Sequence, residues 1–399
     1  MEQGTHWAVK PLFQATRRHP APIGSLGPAT SATMSPMRVA LVHDYFTQLG
    51  GAERVVGTLH QILEPVVVAA SVVDRRLLPP GLAGCEVRSS RLQPLLRAGA
   101  PLASLAPLLP AAFEGLRLGD VDLVVSSTSA FAHHVRAPRG TRHLAYVHTP
   151  ARFIWQTDEY FREHRNQARA LRPALAWFRR VDRRAMARVD RLVANSAHTA
   201  ARLRRIHGRD AVVIHPPIDA AAFRPGDERS GRFLVVARLR PYKRLDLAIA
   251  AAARIGAGLD VIGNGPDLGR LRRLAGPTVR FLGRRSDDEV ARAMAACDGL
   301  LVPAGEDFGL TMAEVQAAGR PPIALAAGGA LEIVEDGRTG FLAASQTVDA
   351  FAEAMLRARD VALDVGDLVA SASRFDVPVF AAAIRSVVAE TVGSPGVGT

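Results

Sequence analysis

The feature that most constrains the fold is an alternation that runs, breaks and restarts. Short apolar runs at Met37–His43, Val66–Val73, Leu123–Ser126, His143–His148, Arg191–Ala194 and Ala211–His215 are separated by Ala/Leu/Arg-rich stretches with helical character. At residues 215–231, "HPPIDAAAFRPGDERSG", the pattern dissolves into Pro, Gly and charge, as a linker does. It then restarts with "RFLVVARL", "GLDVIGNG", "VRFLG", "DGLLVPA" and "PPIALAA". Strands that alternate with helices make a parallel, doubly wound sheet. The expectation is therefore an α/β chain of two Rossmann-like parallel-sheet domains that face a central cleft. Open sheets of this kind bind ligands at the C-terminal ends of their strands.

Length agrees, since 399 residues exceed what one ordinary core holds. The expected boundaries are an N-terminal domain at 37–215, a linker at 216–231 and a C-terminal domain at 232–372. Residues 373–399 would form a helix crossing back to the first domain, followed by a flexible tail. Residues 1–36, rich in Pro, Ala, Ser and Thr, read as a disordered extension or a mis-assigned start ahead of Met34 or Met37. They have no apolar core of the kind a signal peptide carries. No segment reaches the roughly 20 apolar residues of a membrane span.

Hydrophobic content of 48% and charged content of 22% describe a globular chain. Cys85 and Cys297 have neither disulfide-framework nor metal-site spacing, which points to a reducing cytoplasm. The net charge of +12 is concentrated: residues 1–215 hold 29 Lys+Arg against 15 Asp+Glu, and residues 216–399 hold 21 against 23. The first domain should meet something anionic, whether nucleic acid, a lipid surface or a pyrophosphate. No zinc finger, helix-turn-helix or RNP-type signature supports nucleic acid. The Arg-rich "RALRPALAWFRRVDRRAMARVDR" fits either a helix lying on an anionic membrane or an Arg-faced helix covering a sheet.

Several positions offer chemistry. Gly50 and Gly51 follow the first strand and open a helix, where backbone N–H groups can approach a phosphate. Arg238 and Lys243, just past a strand end, could neutralise a diphosphate. "GNGPDLG", with Gly263 and Gly265, departs from a dinucleotide fingerprint because Leu268 stands where its third glycine should be; a nucleotide-contacting turn is still compatible. His148 ends a strand and would face the cleft, whereas His133 and His134 read as structural or exposed. Asp120-Val121-Asp122 spells a D-x-D, but it leads into a strand at the edge opposite the cleft, so no metal is expected.

The densest stretch is "AGEDFGLTMAEVQAAGRPP" at 304–322. Gly309 marks a helix start, and Gly319 with Pro321-Pro322 marks its stop. Glu306 then projects from the preceding loop, and the amides near Leu310 and Thr311 are placed to meet a phosphate. Glu314 shares a helix face with Leu310, Ala317 and Ala318, an environment that requires hydrogen bonds to the carboxylate. Taken alone, the two glutamates fit an acid/base pair, a sugar clamp or two solvated acids.

These residues together resemble the retaining glycosyltransferases of family 4, which have the GT-B fold. The Glu-x7-Glu of "EDFGLTMAE" is that family's hallmark, and it stands in order with "VARLRPYKR", "VIGNGP", "RFLG" and "AAGGALEIVEDGRTGFL". "HDYFTQLGGAER", "YVHTPARFIW" and "VANSAHTAARLRRIHGRDAVVIHPPID" look like the branch containing GDP-mannose-dependent mannosyltransferases of polysaccharide assembly. The resemblance runs from Met37 to about Glu390.

It implies a metal-independent hexosyltransferase without a cofactor, taking a nucleoside-diphosphate sugar, mannose favoured, to a glycan or lipid-linked acceptor. It implies that Arg238 and Lys243 hold the diphosphate, that Glu306 contacts the transferred sugar, and that Phe308 and Gly309–Thr311 lie on the donor side, the latter offering amides to the phosphates. Glu314 would hold the ribose, Gly50-Gly51 would line the phosphate and acceptor side, and His148 would touch the sugar near the reacting carbon. Gly263, Gly265 and Glu332 would be further donor-side contacts. The expected location is cytoplasmic, at the inner face of the plasma membrane. A glycoside hydrolase or a GT-B-shaped sugar-nucleotide epimerase is the alternative on sequence grounds.

Overall fold

The computed structural model describes residues 37–157 and 171–393, with two parallel sheets among them. The first sheet is built from β1 (Val39–His43), β2 (Val67–Ala70), β3 (Val87–Ser89), β4 (Leu123–Thr128), β5 (Arg142–Val147), β6 (Arg191–Ala194) and β7 (Val212–Val213), in spatial order 3-2-1-4-5-6-7. The second uses β8 (Arg232–Val236), β9 (Gly258–Ile262), β10 (Val279–Gly283), β11 (Leu300–Val302), β12 (Pro322–Leu325) and β13 (Phe341–Ala343), in order 10-9-8-11-12-13. Every neighbouring pair is parallel. The sequence dictates this for the central strands. Runs such as "VALVH" and "LVVSST" are buried at every position, which requires cover on both faces.

In each sheet the strand order reverses beside its first strand, at β1/β4 and at β8/β11. Chains leave these strands in opposite directions there, which opens a crevice at the strand ends. The loops after β1, β8 and β11 carry Gly50-Gly51, Arg238 with Lys243, and Glu306–Thr311 respectively. The fold therefore gathers most of the sequence-selected residues into one place.

Residues 216–231 hug the second domain: Ile218 bridges to Asp376, and the Arg320 guanidinium donates to the carbonyls of Gly226 (2.5 Å) and Glu228 (3.2 Å). The last helix, Val377–Gly393, leaves the second domain and packs on the first. Its Phe380, Ala381, Ile384, Val387 and Val388 join the core formed by Leu41, Phe46, Leu59 and Tyr146. The two domains are thus tied by two chain crossings. The expected N-terminal extension and C-terminal tail lie outside the described residues.

Candidate active site

The second-domain wall of the cleft is organised around helix Leu310–Ala317. Gly309 caps it with φ +99°, a left-handed conformation that glycine adopts without strain. A Cβ there would also come within 2.2 Å of the Met312 methyl. The first-turn amides, Leu310 and Thr311 among them, have no preceding turn to supply acceptors. Lys243 Nζ lies 2.5 Å from Glu306 Oε1, at the mouth of this helix, with both side chains mostly buried.

The glycine pair after β12 explains the placement of Glu306. Gly329 N–H donates to the Glu306 carbonyl (2.9 Å), and a Cβ on Gly328 or Gly329 would stand 2.2 Å from the Glu306 or Phe308 carbonyl oxygen. Gly263 and Gly265 act in the same way on the other side. Added Cβ atoms would collide with the Leu239 carbonyl at 2.2 Å and with the Ala237 carbonyl oxygen. Their glycine character is thereby accounted for by close packing against the loop that holds Arg238.

Two further residues expected on the donor side have partners within the fold. Phe308, expected on the donor side, is 3% exposed and packs between His215 and Phe375, with ring centroids 5.4 and 5.2 Å away. Glu306 lines the cleft while Phe308 fills the core. Glu332 is taken up at the domain junction: its carboxylate accepts from the backbone N–H groups of Ala197 (2.8 Å) and His198 (3.0 Å), with His215 Nε2 2.9 Å away. It thereby supplies a negative charge at the start of helix Ala197–His207, where the helix dipole favours one.

The first-domain wall comes close. Gly51 opens helix Gly51–Leu63, and a Cβ on it would be 2.8 Å from the Leu310 side chain across the cleft. Glu53 folds back to accept from Gly50 N–H (2.9 Å) and from Gln48 (3.2 Å), fixing the turn. Gln48 in turn accepts from Arg238 at 2.5 Å. His148 is 8% exposed, with Nε2 2.8 Å from Ser127 Oγ; Ser127 also lies 3.2 Å from His43 Nδ1, and His43 sits 3.8 Å from Glu53. Burial, with the nearby His43 charge, pushes His148 down to about 3, so it is a neutral imidazole at physiological pH. Burial alone would lower His43 as well, but the Glu53 carboxylate outweighs it and raises His43 above its ordinary value.

Glu314 is where sequence reasoning saw the need but not the partner. Its side chain is 7% exposed, and the Arg54 guanidinium of the other domain donates to it at 3.0 Å. Arg54 also donates to Asp287 at 3.0 Å. Burial keeps the Glu314 carboxyl above its usual range, against the opposing pull of Arg54. Asp307, overlooked beside Glu306, forms a second crossing with Arg152 and Arg202, both at 2.5 Å. Burial would raise the Asp307 carboxyl, and the two arginines overcome that and hold it low. The signals were present in "EDFG", "HTPARF" and "TAARLRR", but nothing local links residues 105 and 155 positions apart. Of the discounted D-x-D, Asp120 pairs with Arg38 (2.5 Å) and Asp122 accepts from Arg38 N–H (2.7 Å), at the N-terminal edge of the sheet.

Comparison with known proteins agrees with this architecture. Residues 49–222 match the family described as Glycosyltransferase Family 4, and residues 230–360 match Glycosyl transferases group 1. D-inositol 3-phosphate glycosyltransferase of Mycobacterium bovis (strain BCG / Pasteur 1173P2) is 33% identical over 192 residues, 42% of this chain and 40% of that protein. The chain thus spans about two fifths of the length of the curated relatives it matches. Anabaena Alr3699/HepE in complex with UDP superposes with a TM-score of 0.67 at 21% identity, over 89% of this chain and 100% of that one. Sucrose-phosphate synthase from Thermosynechococcus elongatus gives 0.65 at 17%, over 89% and 99%. Both structural likenesses identify the fold as GT-B.

Proposed function

We propose that this chain, which belongs to the group 1 glycosyltransferases of family 4, moves a hexose from a nucleoside-diphosphate sugar to a glycan or lipid-linked acceptor. The observation that carries the reading is the convergence of Arg238, Lys243, Glu306 and the start of helix Leu310–Ala317 after β8 and β11, directly opposite Gly51.

Breaking a glycosyl–phosphate bond builds negative charge on the departing diphosphate. Arg238, Lys243 and the amides of Leu310 and Thr311 would stabilise that charge where it develops. Glu306 keeps Lys243 oriented and would accept from the sugar hydroxyls. Glu314 would accept from the ribose hydroxyls, with Arg54 retained on Asp287, which it already contacts. Neutral His148, oriented by Ser127, would contact the sugar near its anomeric carbon. With each glutamate held by its own cation, neither is poised as a nucleophile or proton donor. This argues against the hydrolase alternative. A front-side displacement, with retention and with the acceptor proton passing to the leaving phosphate, fits these residues.

The N-terminal motifs favour GDP-mannose. A UDP-sugar is the second reading, because the HepE structure contains UDP. A lipid-linked acceptor would bring the chain to an anionic surface. The outward side of helix Arg172–Ala187, with Arg180, Arg183 and Arg184 exposed and Trp177 46% exposed, would meet it. Loss of co-sedimentation with phosphatidylglycerol vesicles in R180E/R184E would support that contact, and unchanged binding would remove it.

The deciding experiment measures thermal stabilisation and donor turnover across GDP-, UDP- and ADP-sugars. One base should stabilise the protein by several degrees, at about 2–4 °C per kcal/mol of binding. A chain that responds to none of the three overturns the reading.

A further inference from the structure

The interior of the first domain holds a cluster that the proposed reaction does not use. His133 and His134 lie in the short turn after β4, Asp182 lies on the inner face of helix Arg172–Ala187, and His207 ends helix Ala197–His207. His133, His134 and Asp182 are 3%, 1% and 2% exposed. His133 Nε2 is 3.0 Å and His134 Nε2 3.7 Å from the same oxygen, Asp182 Oδ1, and the three atoms all lie within 4.8 Å of one another. The His207 side chain is 2% exposed, with Nε2 3.6 Å from the other Asp182 oxygen.

A hydrogen-bonded His133–Asp182 pair would satisfy only part of this group. Among the described residues, His134 Nε2 and both ring nitrogens of His207 are buried without a hydrogen-bond partner. Buried polar atoms in that condition are rare and call for an explanation. We propose that His133 Nε2, His134 Nε2 and Asp182 Oδ1 form a structural site for a divalent transition-metal ion.

The chemistry of the set fits zinc. Ligand bonds of about 2.0–2.1 Å imply tetrahedral edges of about 3.3 Å, which the 3.0 and 3.7 Å separations bracket. Imidazole with one carboxylate is a borderline set that favours zinc and its neighbours over magnesium or calcium. An outer shell is already in place. His133 Nδ1 is 3.1 Å from Thr128 Oγ1, and Trp155 Nε1–H donates to Asp182 Oδ2 at 2.8 Å. Such partners fix the ring orientation and the carboxylate of a metal site. The ion would tie the β4 turn to helix Arg172–Ala187.

The test uses tag-free, full-length protein stripped with a chelator and titrated with Zn²⁺ alone. One equivalent should bind, raising Tm by at least about 3 °C. Co²⁺ should bind in the same place, with the strong visible absorption of a tetrahedral ion, and Zn²⁺ should displace it. H134Q should weaken zinc binding by about tenfold or more. If that variant does not fold, the Co²⁺ spectrum of the unaltered protein decides. Failure of the unaltered protein to bind stoichiometric zinc, an octahedral Co²⁺ spectrum, or equal zinc affinity in folded H134Q would each overturn the proposal.

Discussion

Lys243 and Glu306 stand 2.5 Å apart at the start of a helix, and this pairing determines what their removal should do. Each of K243A and E306A is expected to cut transfer about 100-fold or more in a protein that still folds, because the pair acts on charge that develops in the reaction. Nucleoside-diphosphate release assays with parallel melting curves test this; full activity in either variant removes the residue from the site. Buried His143, beside Ser126, gives a second expectation. Burial pushes it down to about 3, so between pH 3 and the ordinary 6.5 the unfolded chain binds a proton that the native one refuses. Its stabilising contribution is whole above pH 6.5 and is lost on acidification, at about 1.4 kcal/mol per pH unit. Urea titrations from pH 4.5 to 7 should therefore show a shallower slope in H143N than in the unaltered protein, and equal slopes would refute the assignment. At this scale the sequence revealed chemical type but not partnership. Arg238, Lys243 and Glu306 could be picked out because they follow strand ends. Arg54 could not be linked to Glu314, because 260 residues separate them and only the closed fold joins them.

Helix Leu310–Ala317 and its glycine cap form the element on which the site turns. G309A combines a positive φ with a 2.2 Å approach to Met312, and should cost about 1–3 kcal/mol of stability and weaken nucleotide binding together. Denaturation and donor titrations check both; an unstrained, fully binding G309A would show that the cap is dispensable. The start and stop of this helix were legible because glycine and proline act locally. The interior strands were legible because burial on both faces leaves a continuous apolar run. Edge strands β3, "VRS", and β13, "FLA", were not: each has three residues, and β3 exposes two of them, so neither leaves a run to detect. The packing of Gly263 and Gly265 against the Arg238 loop was not legible, because a glycine that admits a ligand and one that admits a neighbouring loop look identical in sequence.

Across the whole molecule, the cleft is closed by charge. Asp307 engages Arg152 and Arg202, and Arg54 engages Glu314 and Asp287, so both crossings place basic groups of the first domain on acids of the second. The charge asymmetry of the sequence, which suggested an external anionic partner, is spent partly on this internal seam. D307N should loosen it. Small-angle scattering should show a larger radius of gyration, and apparent donor affinity should fall as the binding-competent closed state becomes rarer. Unchanged dimensions and affinity would mean that the crossing does not govern closure. The helix Val377–Gly393 has a consequence of another kind. The first domain is translated before the second, yet Phe380, Ile384 and Val387 of its core follow the second domain in the chain. Its core cannot be completed until the second domain has been synthesised.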